Sequence, residues 1–188
     1  MDKTYLYEMC KHEMGHYVVA KLLNFDVEGI TLLNGYNASA HVSSATILLQ
    51  RSLENIEQIK KYLEDRIIVL YAGVLSESLI NQKINLQGVG DLFNSSGRND
   101  NNKVNDLVQL YRNILYPNET NSSKILEQLK LINDKCYDIC FKLVEEEAIF
   151  LENIAGEIFD IVNGKQTKSL SKSEIMGIKI FSDKFNQV

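Results

Sequence analysis

Apolar residues recur at every third or fourth position along most of the chain, which is the spacing that one buried face of an α-helix requires. The first such stretch follows Asp2 or Thr4, either of which can cap a helix, and it runs to about Leu23. The second is capped by Ser52, continues to about Ile80 and carries an apolar stripe of Leu53, Ile56, Ile59, Leu63, Ile67, Leu70 and Val74. Both stretches predict long amphipathic helices.

The second half of the chain predicts further helices. One begins near residues 99–100 and ends before Pro117, because proline cannot continue a helix. The longest runs from about Ser123 to Val162 and allows a break inside it. The sequence SKSE (171–174) is a capping box, and it opens a short final helix.

Two segments depart from the helical period. Strand-favouring residues at 30–33 precede the tight-turn signal Asn34-Gly35, and residues 38–42 can return as a second strand. The stretch NLQGVGDLFNSSGRND (85–100) contains three glycines and predicts a loop, of a length that is often functional. We therefore expect a mainly α fold with a small β-hairpin or edge strand near residues 29–42.

Composition and charge restrict the class of protein. The 188 residues, 45% of them hydrophobic, suit one domain over 1–188 with a sizeable core. The net charge of −5 argues against a nucleic-acid partner, because phosphate binding needs clustered lysine and arginine. No apolar run approaches the roughly 20 residues that span a bilayer. The first residues also lack the apolar core and cleavage site of a signal peptide.

The three cysteines bear on the compartment and on metal binding. They form no CxxC pair, and an odd number suits a reducing compartment, so we expect a cytoplasmic protein. Cys136 and Cys140 are four residues apart on an apolar stripe, which predicts buried packing rather than metal ligation.

The stretch HEMGH (12–16) places two of the chain's three histidines four residues apart. On a helix His12 and His16 project from the same face, so each can place one imidazole nitrogen on a single metal ion. Glu13 lies close enough to take a proton from a metal-activated water that attacks an amide carbonyl. The HExxH pattern therefore predicts a zinc hydrolase. The alternative is an ordinary helix that carries two hydrogen-bonded histidines.

A third protein ligand must come from elsewhere, because catalytic zinc typically has three and keeps one position open. The acidic candidates downstream are Glu77, Asp91, Asp100 and Asp106. Glu77 lies in a predicted helix, as the third ligand does in many HExxH enzymes, whereas Asp91 and Asp100 lie in the glycine-rich stretch. Spacing alone leaves the choice open.

Taken in order, these features resemble the peptidase domain of the FtsH family of zinc proteases. In that family the HEAGH helix precedes a strand with a turn, a helix with a pattern like LAGRAAEE, a loop like TTGASND and long C-terminal helices. The counterparts here are HEMGH (12–16), GITLLNG (29–35), YAGVLSES (71–78), SSGRND (95–100), the helices from Ser123 onward and the tail KSLSKSEIMGI (168–178).

The resemblance implies a helical FtsH-peptidase-like fold and a zinc-dependent metallo-endopeptidase. It implies Zn²⁺ as cofactor, with His12, His16 and Asp100 as ligands and Glu13 as general base. The loop after Gly97 is one residue shorter than in the family, so Asp91 and Glu77 stay as alternatives to Asp100. The family's edge strand binds substrate by β-addition, and its counterpart is roughly residues 36–42, which include His41.

The ATPase module of the FtsH family has no counterpart in this sequence, which has no GxxxxGK[ST] loop and no N-terminal membrane anchor. The expected activity is therefore ATP-independent cleavage of small or unfolded polypeptides, by a homo-oligomer or beside a separate ATPase partner. Two alternatives remain. One is a catalytically silent binding or regulatory module with the peptidase fold, and the other is a different HExxH peptidase class with Glu77 as third ligand.

Overall fold

Helices dominate the structure, a computed structural model that describes residues 3–32, 43–165 and 169–185. The helices are α1 (Lys3–Leu22), α2 (Ile56–Glu77), α3 (Leu86–Asn94), α4 (Arg98–Leu115), α5 (Ser122–Glu146), α6 (Ala148–Val162), α7 (Lys172–Met176) and α8 (Lys179–Phe185). The strands are β1 (Asp26–Thr31), β2 (Ser44–Leu48), β3 (Leu79–Ile80), β4 (Lys83–Ile84) and β5 (Ser169–Ser171). The expected mainly α fold is confirmed. Within the described ranges, no helix combines the length and the apolarity that crossing a membrane requires.

The larger sheet has three antiparallel strands in the order β2-β1-β5, so β2 is an edge strand. Ile30 of β1 lies opposite Ala45 of β2 on one side and Leu170 of β5 on the other. The predicted first strand is confirmed. The predicted turn at Asn34-Gly35 and the predicted return at residues 38–42 lie outside the described residues, and the strand that pairs with β1 is Ser44–Leu48.

Helix α2 begins later and ends earlier than the apolar stripe suggests. Its N-cap is Asn55, whose side chain accepts a hydrogen bond from the backbone N–H of Gln58, so the expected cap at Ser52 is wrong. It ends at Glu77 rather than near Ile80, because β3 and β4 form a short hairpin there. The two turn residues of that hairpin, Asn81 and Gln82, have positive φ.

The predicted loop over residues 85–100 is wrong, because most of it is helix α3. Asn85 caps this helix by accepting the N–H of Gln87, and Val89 is buried against the core. Each glycine costs a helix only about 1 kcal/mol relative to alanine. Burial of Val89 and partial burial of Leu92 and Phe93 offset that cost.

The remaining helix predictions agree with the structure at the level of elements. Helix α4 ends at Leu115, before Pro117, and the expected long C-terminal helix is broken at Glu147 into α5 and α6. The capping box of Ser171 and Glu174 is present at the start of α7. Cys136 and Cys140 are fully buried in α5, as expected of packing residues.

Helix α1 lies at the centre of the core, packed against α2 and α6, while α2 also packs against α4 and α5. From Cys10 to Ala20 every residue of α1 is buried. This stretch contains the whole HEMGH sequence, so the fold buries His12, Glu13 and His16 where α1 meets α2.

Candidate metal centre

The polar residues of HEMGH are buried because they lie on a core helix. His12 and His16 are each 7% exposed and Glu13 is 4% exposed. Burying polar or charged side chains costs free energy unless they are hydrogen-bonded or paired. The partners of these three residues therefore indicate what the site is built for.

Both imidazole rings are fixed through Nδ1. The Nδ1–H of His16 donates to the backbone carbonyl of Val69 at 2.7 Å, and the Nδ1 of His12 lies 2.7 Å from Oε2 of Glu77. A carbonyl or a carboxylate accepts hydrogen bonds, so Nδ1 carries the hydrogen in each neutral ring. The two Nε2 atoms then present lone pairs, and they face each other at 3.1 Å.

Asp100 completes a group of three donors. It lies in the first turn of α4, and its Oδ2 is 3.2 Å from Nε2 of His16 and 3.5 Å from Nε2 of His12. Tetrahedral coordination with bonds of about 2.0–2.1 Å places neighbouring ligand atoms about 3.3 Å apart. The observed separations of 3.1–3.5 Å fit one such ion.

The charges at this point favour a cation. Burial by itself raises the pKa of Asp100, but the imidazoles of His12 and His16, which lie beside its carboxylate, hold that pKa well below its usual range. Burial by itself lowers the pKa of His12, but the hydrogen bonds to Asp100 and Glu77 outweigh it and raise the pKa to about 10. Three acceptor atoms that converge therefore require a positive charge between them, which a proton or a metal ion can supply.

Glu77 lies behind His12 rather than beside the other donors. Its Oε2 is at Nδ1 of His12 and also accepts a hydrogen bond from the Ser96 hydroxyl at 2.7 Å. A carboxylate at this position fixes the ring orientation and strengthens the other nitrogen as a ligand. Asp91 on α3 and Asp106 on α4 are exposed, and neither belongs to the group of side chains among the described residues that could hold a metal ion.

Glu13 is held beside the three donors. Burial raises the pKa of its carboxyl group, while the nearby His16 and His12 and a hydrogen bond from the backbone N–H of Ala45 act in the opposite direction. This hydrogen bond ties the side chain to the edge strand β2. A buried carboxylate with a raised pKa is suited to exchanging a proton with a neighbouring group.

The centre opens into a cleft of about 600 Å³. One wall is formed by β2 and the residue before it, through Ser43, Ser44, Ala45 and Ile47. The cleft is also lined by Arg66 and Leu70 of α2 and by residues of the first turn of α4. A cleft of this size can admit a segment of peptide beside the converging donors.

The structure thus brings His12, His16, Asp100 and Glu13 together, and it places Asp91 and Asp106 elsewhere. Gly73, Ser96 and Arg66 were not predicted from the sequence. A glycine inside a strongly helical stretch is the signal that could have identified Gly73. His41 and the rest of residues 36–42 lie outside the described residues.

At Gly73 the backbone of α2 lies close to the two histidines. A Cβ atom there would lie 2.4 Å from Nε2 of His16 and 2.7 Å from Nε2 of His12, distances that real Cβ contacts do not reach. Glycine therefore leaves room for the ligand nitrogens at the crossing of α1 and α2.

Gly73→Ala is expected to push the histidines apart, and overpacking of this kind costs about 1–3 kcal/mol of stability. Metal affinity should fall as well, because both Nε2 atoms are displaced. Urea unfolding and zinc titration measure the two effects. Gly156→Ala in α6 is the matched control, since nothing lies within 4 Å of its added Cβ; it should stabilise the protein by about 0.5–1 kcal/mol. Unchanged zinc affinity in Gly73→Ala would contradict the close approach.

Comparison with known proteins assigns no family, because no protein-family model matches the chain and no curated protein sequence matches it. The resemblance to the FtsH family stays a prediction from the quoted motifs.

Proposed function

We propose that the chain is a zinc-dependent metallo-endopeptidase in which His12, His16 and Asp100 hold the metal and Glu13 is the general base. The observation that carries this proposal is the convergence of Nε2, Nε2 and Oδ2 at 3.1–3.5 Å beside a buried glutamate in an open cleft. Two histidines and one carboxylate are a ligand set of catalytic zinc sites.

Zinc, when bound, supplies a Lewis acid that acidifies water and polarises a carbonyl oxygen. The protein residues supply the remaining functions. Glu13 accepts the proton of the attacking water and then donates it to the amine that leaves. Glu77 holds the His12 ring so that its Nε2 faces Asp100, and the carbonyl of Val69 does the same for His16.

The cleft supports a polypeptide as the substrate. Strand β2 forms one wall and is an edge strand, and an extended peptide can add to such an edge through main-chain hydrogen bonds. Those bonds are indifferent to side chains, so small or unfolded polypeptides of varied sequence are the proposed substrates. We place the enzyme in the cytoplasm. The chain by itself would cleave without ATP, and its proposed assembly is a homo-oligomer or a complex with a separate ATPase.

Metal analysis together with a cleavage assay tests the proposal. Purified protein is expected to bind one zinc ion per chain and to cleave an unfolded protein such as casein, and a chelator should abolish both properties. His12→Ala should lose the ion. Lys21→Ala, at the other end of α1 and outside the cleft, is the control and should keep it. Protein that stays metal-free after zinc addition would contradict the proposal. Protein that binds zinc tightly but cleaves neither casein nor a peptide library would favour the silent binding module.

A further inference from the structure

Arg66 is a charged residue of the cleft that the catalytic scheme does not use. It lies on α2, half-buried, and lines the cleft together with the metal-ligating residues. Its Nη1 is buried and has no hydrogen-bond partner among residues 3–32, 43–165 and 169–185. A buried guanidinium nitrogen without a partner loses the hydrogen bond it would make to water, so the position is costly unless something binds there.

The other charged groups lining the cleft have partners. Lys103 pairs with Oδ1 of Asp100 at 3.0 Å, and Glu77 is bound by His12 and Ser96. Burial lowers the pKa of Arg66, and the nearby Tyr62 and then the negative charge of Asp100 act against that change. Asp100 already directs its two oxygens to the histidines and to Lys103. Among the described residues, Asp100 is therefore not a partner of Arg66, whose guanidinium can bind another anion.

The position of Arg66 relates it to the metal centre. Arg66, Leu70, Gly73 and Glu77 recur at three or four residues and so lie on one face of α2. Arg66 precedes Gly73 by two helical turns, which is about 10 Å along the helix axis. An extended peptide covers that length in about three residues, at roughly 3.3–3.6 Å per residue.

We propose that Arg66 binds a carboxylate of the peptide substrate, within about three residues of the bond that is cleaved. The guanidinium fork matches a carboxylate with two parallel hydrogen bonds, which a lysine cannot reproduce. The residues that connect β1 to β2, 33–42, contain no aspartate or glutamate, so this connection cannot supply the carboxylate itself. In an endopeptidase the carboxylate is an acidic side chain. In a peptide cut near its end it is the terminal α-carboxylate.

This inference rests on the proposed function, and its test separates the two. Fluorescent hexapeptides carry either Glu or Gln near the centre, and each is made as a free acid and as a C-terminal amide. Their binding is measured by anisotropy on zinc-loaded Glu13→Gln protein, in which cleavage is suppressed. Their cleavage is measured on protein with native Glu13. Zinc content is determined in parallel for every variant.

Glu-containing or free-acid peptides are expected to bind about tenfold more tightly than their neutral partners, as one charge-assisted pair allows. Arg66→Gln should remove that preference while zinc content stays unchanged, and Arg66→Lys should restore only part of it. Arg98→Gln, an exposed residue outside the cleft, removes the same charge and should keep the preference. Comparison of Glu with Gln peptides tests an acidic side chain, and comparison of free acids with amides tests the terminal carboxylate.

Three results of the binding measurements alone would overturn the inference. They are a preference that survives Arg66→Gln, an equal loss of binding for charged and neutral peptides, and the absence of peptide binding altogether. Zinc binding and cleavage without any carboxylate preference would overturn it and leave the proposed function standing. A carboxylate preference in protein that does not cleave would contradict the proposed function and leave Arg66 as a recognition residue.

Discussion

Glu13→Gln is expected to lower kcat by about 10²–10⁴-fold, the range that a positioned general base contributes. The substitution keeps the size of the side chain and an oxygen that can accept the hydrogen bond from the N–H of Ala45. It removes only the ability to take a proton. Zinc should therefore remain bound at one ion per chain, so cleavage rate and metal content separate. Casein cleavage at saturating zinc, with elemental analysis of the same samples, measures both.

Glu28→Gln is the matched control for this experiment. It makes the same chemical change on an exposed position of β1, outside the cleft, and should leave cleavage and zinc content as they are. A Glu13→Gln protein that retains full activity would show that the proton is accepted elsewhere. A variant that loses zinc as well would indicate a ligand rather than a base.

Asp100→Asn is expected to weaken zinc binding by more than about 100-fold, because it replaces a charged oxygen ligand at the centre with a neutral amide. Glu77→Gln should weaken zinc binding less, by about 10–100-fold, which is typical for a group that orients a ligating histidine. The amide oxygen introduced by Glu77→Gln would still accept the Nδ1–H of His12, but without the negative charge. Competition against a chromophoric chelator measures these affinities.

Asp91→Asn serves as the reference for these two variants, since Asp91 is exposed and lies outside the donor group. It should bind zinc as tightly as the unmodified protein. The ranking of the variants decides between classes of enzyme. If Glu77→Gln lost more affinity than Asp100→Asn, the third ligand would be Glu77 and the FtsH-like assignment of Asp100 would be wrong.

Local patterns in the sequence predicted the helices well, because the buried face of a helix leaves a direct trace in the spacing of apolar residues. They failed at α3, where Gly88 and Gly90 weigh against a helix that tertiary burial of Val89 nevertheless supports. Strand β2 was not predicted either, because the turn signal at Asn34-Gly35 favours a second strand at residues 38–42, before the observed Ser44–Leu48.

The candidate metal centre likewise combines residues that a local motif predicts with residues that only the tertiary fold brings together. His12, Glu13 and His16 share one helical turn, so a short motif places them. Asp100 lies 84 residues from His16, and only the packing of α4 against α2 brings it there. Spacing left four acidic candidates, and the resemblance to a family selected Asp100. The partnership of Glu77 with His12 depends on how α1 crosses α2, which no local pattern encodes.

The unequal burial of the three donors has a kinetic consequence. His12 and His16 lie on a fully buried stretch of α1 with side chains 8–9% exposed, whereas the Asp100 side chain at the start of α4 is 17% exposed and is bridged to the exposed Lys103. A bound ion would therefore escape by opening on the α4 side. The residence time of the metal would be governed by fraying of the first turn of α4, while the two histidines stay in place for the next ion.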